Sequence, residues 1–139
     1  MSETERPPRG VLDTSAVILL GRLGDAASLP AEPLITAVTL AELSVGPLVA
    51  VDEDERAARQ ARLQQAEADF APLPFDADAA RAFGRVAASL RSGGRKVQAR
   101  AYDAIIAAIA LAHELPLYTA NPDDFAGITG LEVRVVQAR

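Results

Sequence analysis

Hydrophobic positions along this chain fall into short continuous runs and into longer segments with a helical repeat. The short runs are rich in Val, Leu and Ile and predict strands. These strand candidates are residues 10–12, 34–39, 117–119 and 131–136. The longer segments repeat apolar residues every three or four positions and predict helices. These helix candidates are residues 15–23, a stretch that begins at Leu40 and is interrupted at Gly46-Pro47, and residues 53–70, 76–91 and 99–113.

The order of these elements predicts the fold class and the extent of the domain. Strands that alternate with helices indicate an α/β layered domain with a mostly parallel sheet. We expect residues 1–9 to form a flexible leader and residues 10–139 a single domain. The N-terminus has no apolar targeting segment, and the most apolar stretch, Ala104–Ala112, is far shorter than the roughly 20 residues that cross a bilayer. We therefore expect a soluble, cytoplasmic protein without a membrane partner.

Composition narrows the chemistry that this chain can carry out. The 139 residues include no cysteine and one histidine, His113. Disulfides, zinc–thiolate sites and a cysteine nucleophile are excluded, and one imidazole cannot form a paired-histidine nuclease site. We interpret His113 as a residue near a helix end that complements the helix dipole. The net charge of −5 argues against a general nucleic-acid coating protein, but a nuclease needs basic residues only locally. Catalytic chemistry must therefore rest on carboxylates.

Three acidic residues each follow a predicted strand near its end. Asp13 follows the first strand, Glu42 lies after the second, and Asp124 follows the third. Each also has a local explanation, since Asp13 is a good N-cap for the next helix and Glu42 completes a capping-box pattern that begins at Thr39. Asp123 and Asp124 lie in an Asn-Pro-Asp-Asp sequence that is typical of turns. The residues alone leave both explanations open.

A fourth acidic residue, Asp103, lies in the most hydrophobic helix candidate of the chain. Ile106 and Ile109 follow it at helical spacing, so Asp103 shares their apolar stripe. An unpaired carboxylate in such a place is costly unless a cation or a basic partner neutralises it. The local explanation is that an acid near a helix N-terminus complements the helix dipole.

These four carboxylates can converge at one edge of the predicted sheet. In a mostly parallel sheet, sites form at the carboxyl ends of the strands beside a topological switch point. Carboxylates that lie close together raise one another's pKa values unless a cation is bound. Oxygen-only ligation suits Mg²⁺ and Mn²⁺, and hydrolysis of phosphodiester bonds is the usual chemistry of such a site.

The four motifs that carry these acids resemble PIN-domain ribonucleases, specifically the VapC-type toxins of bacterial type II toxin–antitoxin pairs. The motifs are Val-Leu-Asp-Thr-Ser-Ala at 11–16, Thr-Leu-Ala-Glu-Leu-Ser-Val-Gly at 39–46, Tyr-Asp-Ala-Ile-Ile-Ala-Ala-Ile-Ala at 102–110 and Leu-Tyr-Thr-Ala-Asn-Pro-Asp-Asp-Phe at 117–125. The resemblance runs from about residue 10 to the end of the chain. It implies a PIN-like three-layer α/β/α sandwich and an endoribonuclease that depends on Mg²⁺ or Mn²⁺.

The resemblance also implies a role for each site residue. It gives Asp13 and Asp103 the most direct contact with the metal, whereas Glu42 and Asp124 act through water or a second ion. It selects Asp124 over Asp123 as the fourth acid. The residues that it implies to support the site by hydrogen bonding are Ser15, Thr119 and Asn121.

The partners are likewise implied by the resemblance. Proteins of this kind are bound by a small VapB-type antitoxin that places an arginine into the acidic site, where a charge-assisted pair competes with the metal. Their substrates include tRNA, ribosomal RNA and messenger RNA. Homodimers and toxin–antitoxin hetero-oligomers are usual.

Four basic residues lie just before the Asp103 helix, across a Ser-Gly-Gly break. They are Arg91, Arg95, Lys96 and Arg100. A cationic loop at this place can hold RNA phosphates near the metal. A solvated run of surface charge explains the same residues equally well.

Two other classes of function compete with the nuclease interpretation. A two-component receiver needs a phosphoacceptor aspartate at the end of a middle strand, but Asp52 and Asp54 lie in a charged stretch that is not a strand. It also needs a lysine near a late strand, and the one lysine, Lys96, lies in a Gly-rich loop. A non-catalytic scaffold that acts only within an antitoxin complex shares the fold but does not need all four acids.

Overall fold

The computed structural model describes residues 7–22, 28–97 and 100–137. Within them lie four strands and five α-helices. The strands are β1 (Arg9–Leu12), β2 (Glu32–Leu34), β3 (Leu117–Thr119) and β4 (Val133–Val135). The helices are α1 (Thr14–Leu19), α2 (Ala37–Val45), α3 (Glu53–Asp69), α4 (Ala77–Ser92) and α5 (Ala101–Ala112). Short 3₁₀ helices cover Leu20–Arg22, Gly46–Val49 and Pro122–Phe125.

The strands form one sheet in the order β2-β1-β3-β4, and every described pair is parallel. The chain moves from β1 outward to β2 on one side and later returns to β3 on the other side of β1. The strand order therefore reverses between β1 and β3, which creates a switch point at the carboxyl ends of these two strands. We call this edge of the sheet the rim.

Helices cover both faces of the sheet because successive strand residues point to opposite sides. Val11 and Leu117 are fully buried against α4 and α5. Their neighbours Leu12 and Tyr118 are buried on the other face, against residues of α1, α2 and α3. The result is a three-layer α/β/α arrangement, and the predicted α/β class with a mostly parallel sheet is confirmed.

Gly10 allows β1 to lie close to the ring of Tyr118. A Cβ atom at this position would lie 2.4 Å from Cε1 of Tyr118 and 3.2 Å from Cγ of Pro30. Both distances are shorter than ordinary van der Waals contact, so a larger residue requires the buried ring to move. A residue larger than glycine at position 10 is therefore incompatible with the present packing of β1 against Tyr118.

The second strand and the helix after it lie earlier than predicted. We expected a strand at 34–39 because of its β-branched residues, but β2 ends at Leu34 and α2 begins at Ala37. The hydroxyl of Thr36 accepts a hydrogen bond from the Thr39 amide at 3.2 Å and so caps α2. Capping and packing thus outweigh the strand preference of Val38 and Thr39.

Other boundaries differ by a few residues. The first helix becomes 3₁₀ after Leu19, and β4 is shorter than the predicted 131–136. Leu23 and Ala99, at the ends of two predicted helices, lie outside the described residues. The expected interruption at Gly46-Pro47 is confirmed, since α2 ends at Val45.

The predicted leader extends too far at its C-terminal end. The carbonyls of Pro7 and Pro8 accept hydrogen bonds from Ala31 and Glu32 at 3.1 and 2.9 Å, and Arg9 is the first residue of β1. Residues 1–6 lie outside the described part of the chain. Within that part, none of the helices is both long and apolar enough to cross a membrane.

Candidate active site

Asp13 lies at the rim, where β1 passes into α1. Its amide donates to the Tyr118 carbonyl at 3.0 Å, which continues the β1–β3 ladder by one residue. Its carboxylate accepts a hydrogen bond from the Ala16 amide at 2.9 Å and caps α1. Asp13 is thus the N-cap that its sequence position suggested. Its other oxygen remains available for a second partner, so the cap does not use the whole carboxylate.

Two hydroxyl groups hold the Asp13 carboxylate in place. Ser15 donates to Oδ1 at 2.7 Å, and Thr119, the last residue of β3, donates to Oδ2 at 2.6 Å. Asp13 is only 4% exposed. Burial raises the pKa of Asp13 above its ordinary value, while the hydrogen bonds from Thr119, Ser15 and the Ala16 amide oppose that rise. The carboxylate is therefore oriented but costly to ionise in the absence of a cation.

Ser15 and Thr119 also tie the two strand ends to each other. The Ala120 amide donates to Ser15 Oγ at 3.0 Å, and the Asn121 amide donates to Thr119 Oγ1 at 3.0 Å. Asn121 thus contacts the site through its backbone amide. Its side chain makes no cap hydrogen bond to the 3₁₀ helix that follows.

Glu42 reaches the rim from the middle of α2. Its local explanation was a capping box that begins at Thr39, but the N-cap of α2 is Thr36. The capping-box explanation is therefore wrong. Glu42 instead accepts a hydrogen bond from the Thr14 hydroxyl at 2.6 Å, and the hydroxyl oxygens of Thr14 and Thr39 lie 3.0 Å apart. This link holds α2 against the start of α1.

Asp103 lies in the first turn of α5, a position that also suits the helix dipole. Its pKa is raised from 3.8 to about 6, chiefly by burial and then by the nearby carboxylates of Asp124, Asp13 and Glu42, in that order. Arg100 acts in the opposite direction. The repulsion among these side chains shows that the fold brings all four acids into one electrostatic neighbourhood. We call Asp13, Glu42, Asp103 and Asp124 the rim acids.

Asp124 lies in the 3₁₀ helix Pro122–Phe125, directly after β3. Its carboxylate forms an ion pair with Arg100, with 2.6 Å between Oδ1 and Nη1. Asp123 is exposed, and its carbonyl accepts a hydrogen bond from Arg95 at 3.0 Å. Of the two adjacent acids, Asp124 is the one that affects the pKa of both Asp13 and Asp103.

The four basic residues expected to bind RNA differ in their surroundings. Arg100 and Arg95 are engaged with the segment after β3, through Asp124 and the Asp123 carbonyl. Arg91, in the last turn of α4, and Lys96 are exposed. Residues 98–99, within the same loop, lie outside the described residues. RNA binding by this set stays a prediction.

The rim acids fit a small, hard divalent cation as a donor set. Among the described residues, no three His, Cys, Asp or Glu side chains converge closely enough to hold a metal ion by themselves. Mg²⁺ does not require such a cage, because it keeps several waters and is commonly held by one or two carboxylates. A cation bound beside Asp13 and Asp103 would offset the burial and charge repulsion that raise their pKa values.

Comparison with known proteins decides the family. The PIN domain family model matches residues 10–131. The chain belongs to the PIN-domain family. It is 46% identical over 126 residues to Ribonuclease VapC5 of Mycobacterium tuberculosis, covering 89% of this chain and 90% of that protein. Ribonuclease VapC1 of Rickettsia felis is 29% identical, with 93% of this chain and 97% of the relative covered.

Solved structures agree with this PIN-domain assignment. The crystal structure of VapBC-5 from Mycobacterium tuberculosis, a member of the VapBC family of toxin–antitoxin systems, matches with a TM-score of 0.81 and 44% identity. The match covers 95% of this chain and all of that chain. FitAcB from Neisseria gonorrhoeae matches with a TM-score of 0.70 and 26% identity, over 89% and 95% of the two chains. The resemblance to VapC-type PIN domains is therefore confirmed.

The fold of this PIN domain contradicts the receiver interpretation. Asp52 is the N-cap of α3 and does not end a strand, and Asp54 lies in the first turn of that helix. Lys96 is an exposed residue beyond the end of α4. His113 is the C-cap residue of α5, as its position near a helix end suggested.

Sequence reasoning missed two features of the PIN-domain site. The first is the Thr14 hydroxyl on Glu42, and the second is the ion pair between Arg100 and Asp124. Thr14 lies in the Asp-Thr-Ser motif, so its place between two site residues was the available signal. The partner of Arg100 is 24 residues away and left no local signal.

Proposed function

We propose that this PIN domain is the toxin of a VapBC-type toxin–antitoxin pair and hydrolyses phosphodiester bonds of RNA internally, with Mg²⁺ or Mn²⁺ as cofactor. The observation that carries the proposal is the raised pKa of Asp103, which reflects burial and the approach of three other carboxylates to one edge of the sheet. The similarity to Ribonuclease VapC5 supports RNA as the substrate.

In this proposal the rim acids contribute to ion binding in two different ways. Asp13 and Asp103 hold it directly, and Glu42 and Asp124 act through water or a second ion. A bound divalent ion would lower the pKa of the attacking water and stabilise negative charge on the phosphate. The chain itself provides the orientation, because Ser15 and Thr119 fix the Asp13 carboxylate before any ion arrives.

The hydroxyl of Thr14 has a comparable role at Glu42. It donates to Oε1 at 2.6 Å and leaves the other carboxylate oxygen free to accept a proton or a hydrogen bond from water. Asp103 must be ionised to take part, and a pKa of about 6 makes it so near neutral pH. A cation bound beside it would lower that pKa and secure the charged form.

The proposal includes a VapB-type antitoxin as inhibitor. Its support is the similarity to a chain of VapBC-5, a member of a family of toxin–antitoxin systems. An antitoxin arginine that enters the rim would pair with carboxylates that otherwise repel one another. A homodimer, a toxin–antitoxin hetero-oligomer and a cytoplasmic location complete the proposal. The RNA class, whether tRNA, ribosomal RNA or messenger RNA, is left to experiment.

The test uses the full chain purified free of antitoxin. Total cellular RNA is incubated with the protein and Mg²⁺ or Mn²⁺, and the new 5′ ends are sequenced. We expect a small set of recurrent cleavage positions that disappear when a chelator is added. If the protein cleaves no RNA with either ion, the enzyme assignment fails and the non-catalytic scaffold becomes the better explanation.

A further inference from the structure

The ion pair between Arg100 and Asp124 joins two parts of the rim that are distant in sequence. Arg100 is the residue just before α5, and Asp124 lies beyond β3. Their charged atoms are 2.6 Å apart, and both side chains are about one-third exposed, at 33% and 40%. The guanidinium group therefore lies beside the rim acids and is partly open to solvent.

Arg100 acts on more than its direct partner. It opposes the rise in the pKa of Asp103 that Asp124, Asp13 and Glu42 produce. The positive charge of Arg100 thus offsets part of the repulsion among the rim acids. A divalent ion bound to the same carboxylates would perform the same electrostatic task and would repel the guanidinium.

The neighbouring arginine, Arg95, provides a control for this effect of Arg100. Arg95 donates to the backbone carbonyl of Asp123 at 3.0 Å. That contact joins it to the same 3₁₀ helix without an ion pair to a rim acid. The two arginines carry equal charge in one loop region, but only the Arg100 contact can compete for a carboxylate that the metal would use.

We propose that Arg100 is a positioning residue that serves as an internal counterion of the metal-free site and competes with the divalent ion for Asp124. This inference rests on the proposed function, since it concerns the metal that the rim acids would hold. It also revises our expectation for Arg100, because a side chain paired with Asp124 is not free to hold an RNA phosphate until the pair opens.

The competition predicts the effect of removing the guanidinium. Without Arg100, Asp124 loses its partner, and the rim acids carry one more uncompensated negative charge. The affinity for Mn²⁺ should then increase by about tenfold, within the range that is typical of coupled binding. Arg100→Lys keeps the charge and should bring the affinity back to within about threefold of the wild-type value.

The experiment is calorimetric titration of Mn²⁺ alone into the full chain, free of RNA and antitoxin. Wild type, Arg100→Met, Arg100→Lys and the control Arg95→Met are compared at one pH and ionic strength. We expect Arg95→Met to change the affinity less than threefold. If Arg100→Met does not fold, Arg100→Gln replaces it with the same expectation.

The possible results separate this inference from the proposed function. If the wild-type protein binds no Mn²⁺ at the rim, this inference fails and so does the metal requirement of the proposed function. Wild type that binds Mn²⁺ with an affinity that Arg100→Met leaves unchanged or weakens overturns the counterion role alone. An equal gain in Arg95→Met and Arg100→Met also overturns it, because the effect would then be one of overall charge.

Discussion

Two groups of acidic side chains in this protein differ in how their charges are balanced. The first is the run of four consecutive acids at the start of α3. There Asp52 caps the helix by accepting from the Glu55 amide at 2.8 Å, Glu53 pairs with Arg56, and Glu55 pairs with Arg59. These acids also lie at the positive end of the helix dipole. Three of the four charges thus have a partner within one or two turns of the same helix, and Asp54 lies in its first turn.

The rim acids are balanced in a different way. They come from four separate segments between residues 13 and 124, and the fold alone brings them together. Asp13 is buried, and the pKa values of Asp13 and Asp103 are raised, whereas the ion pair recorded at the rim involves Asp124. The number of acids is the same in both groups. What distinguishes the candidate metal site is that burial and mutual repulsion still raise the pKa values of Asp13 and Asp103 despite their local contacts.

The largest difference between the two groups should appear in RNA cleavage. Asp103→Asn removes a charge that the proposed ion needs and should reduce cleavage by about 10³-fold, since charge stabilisation is usually the largest contribution to catalysis. Asp54→Asn makes the same chemical change in the first turn of α3 and should leave the cleavage rate within about twofold of wild type. Single-turnover cleavage of one identified RNA measures both. If Asp103→Asn and Asp54→Asn lose cleavage activity equally, the rim acids and the acids of α3 do not differ in their importance for cleavage.

A smaller effect should follow from the hydroxyl that orients Asp13. Thr119→Val keeps the shape of a fully buried side chain and deletes the 2.6 Å hydrogen bond to Oδ2. Loss of such a supporting bond typically lowers metal affinity or activity by about 10–100-fold. We expect this loss in Mn²⁺ affinity and in the cleavage rate together. If Thr119→Val retains both the Mn²⁺ affinity and the cleavage rate, Ser15 and the Ala16 amide suffice to orient the Asp13 carboxylate.

The third difference concerns stability without metal, and its sign follows from the raised pKa. Because the pKa of Asp103 rises from 3.8 to about 6 on folding, its ionisation lowers the free energy of unfolding as the pH rises through this interval. Asp103→Asn should therefore raise that free energy at pH 7.5 by about 1–2 kcal/mol, after allowance for its partial exposure to solvent. At pH 4 the substitution should change it little.

Thermal unfolding in the presence of a chelator measures this effect as a rise in Tm of about 3–5 °C at pH 7.5. Asp54→Asn is the matched control and should lower the Tm slightly at this pH, since it removes a charge that the α3 dipole favours. A rise in Asp103→Asn that is equally large at pH 4 would show that repulsion between charges is not its cause.

Much of the fold could be predicted from the sequence because local and tertiary preferences agree there. The strand Leu117–Thr119 and the helix predicted at 76–91 are observed close to where the hydrophobic pattern indicated them. The second strand was misplaced because Val38 and Thr39 favour strands locally but pack within α2. The α/β class depends on the alternation of elements and tolerates such shifts.

The candidate site was predictable only in part for a related physical reason. Asp103 was identified as unusual from its own helix, because a carboxylate among isoleucines needs compensation wherever the helix packs. Glu42 was given the wrong local explanation, since its partner Thr14 is contributed by another helix. The Arg100–Asp124 pair depends on how α5 meets the segment after β3, which no local pattern encodes. The roles of these residues in catalysis stay predictions.

The most direct test of the central claim is to locate a bound ion. Crystals of the full chain, grown without antitoxin and soaked in Mn²⁺, would give an anomalous difference map that shows where the metal binds. We predict a peak between the carboxylates of Asp13 and Asp103, with none at the first turn of α3. Saturating Mn²⁺ that leaves the rim without a peak, or that binds only beside Glu53 and Asp54, would contradict the account.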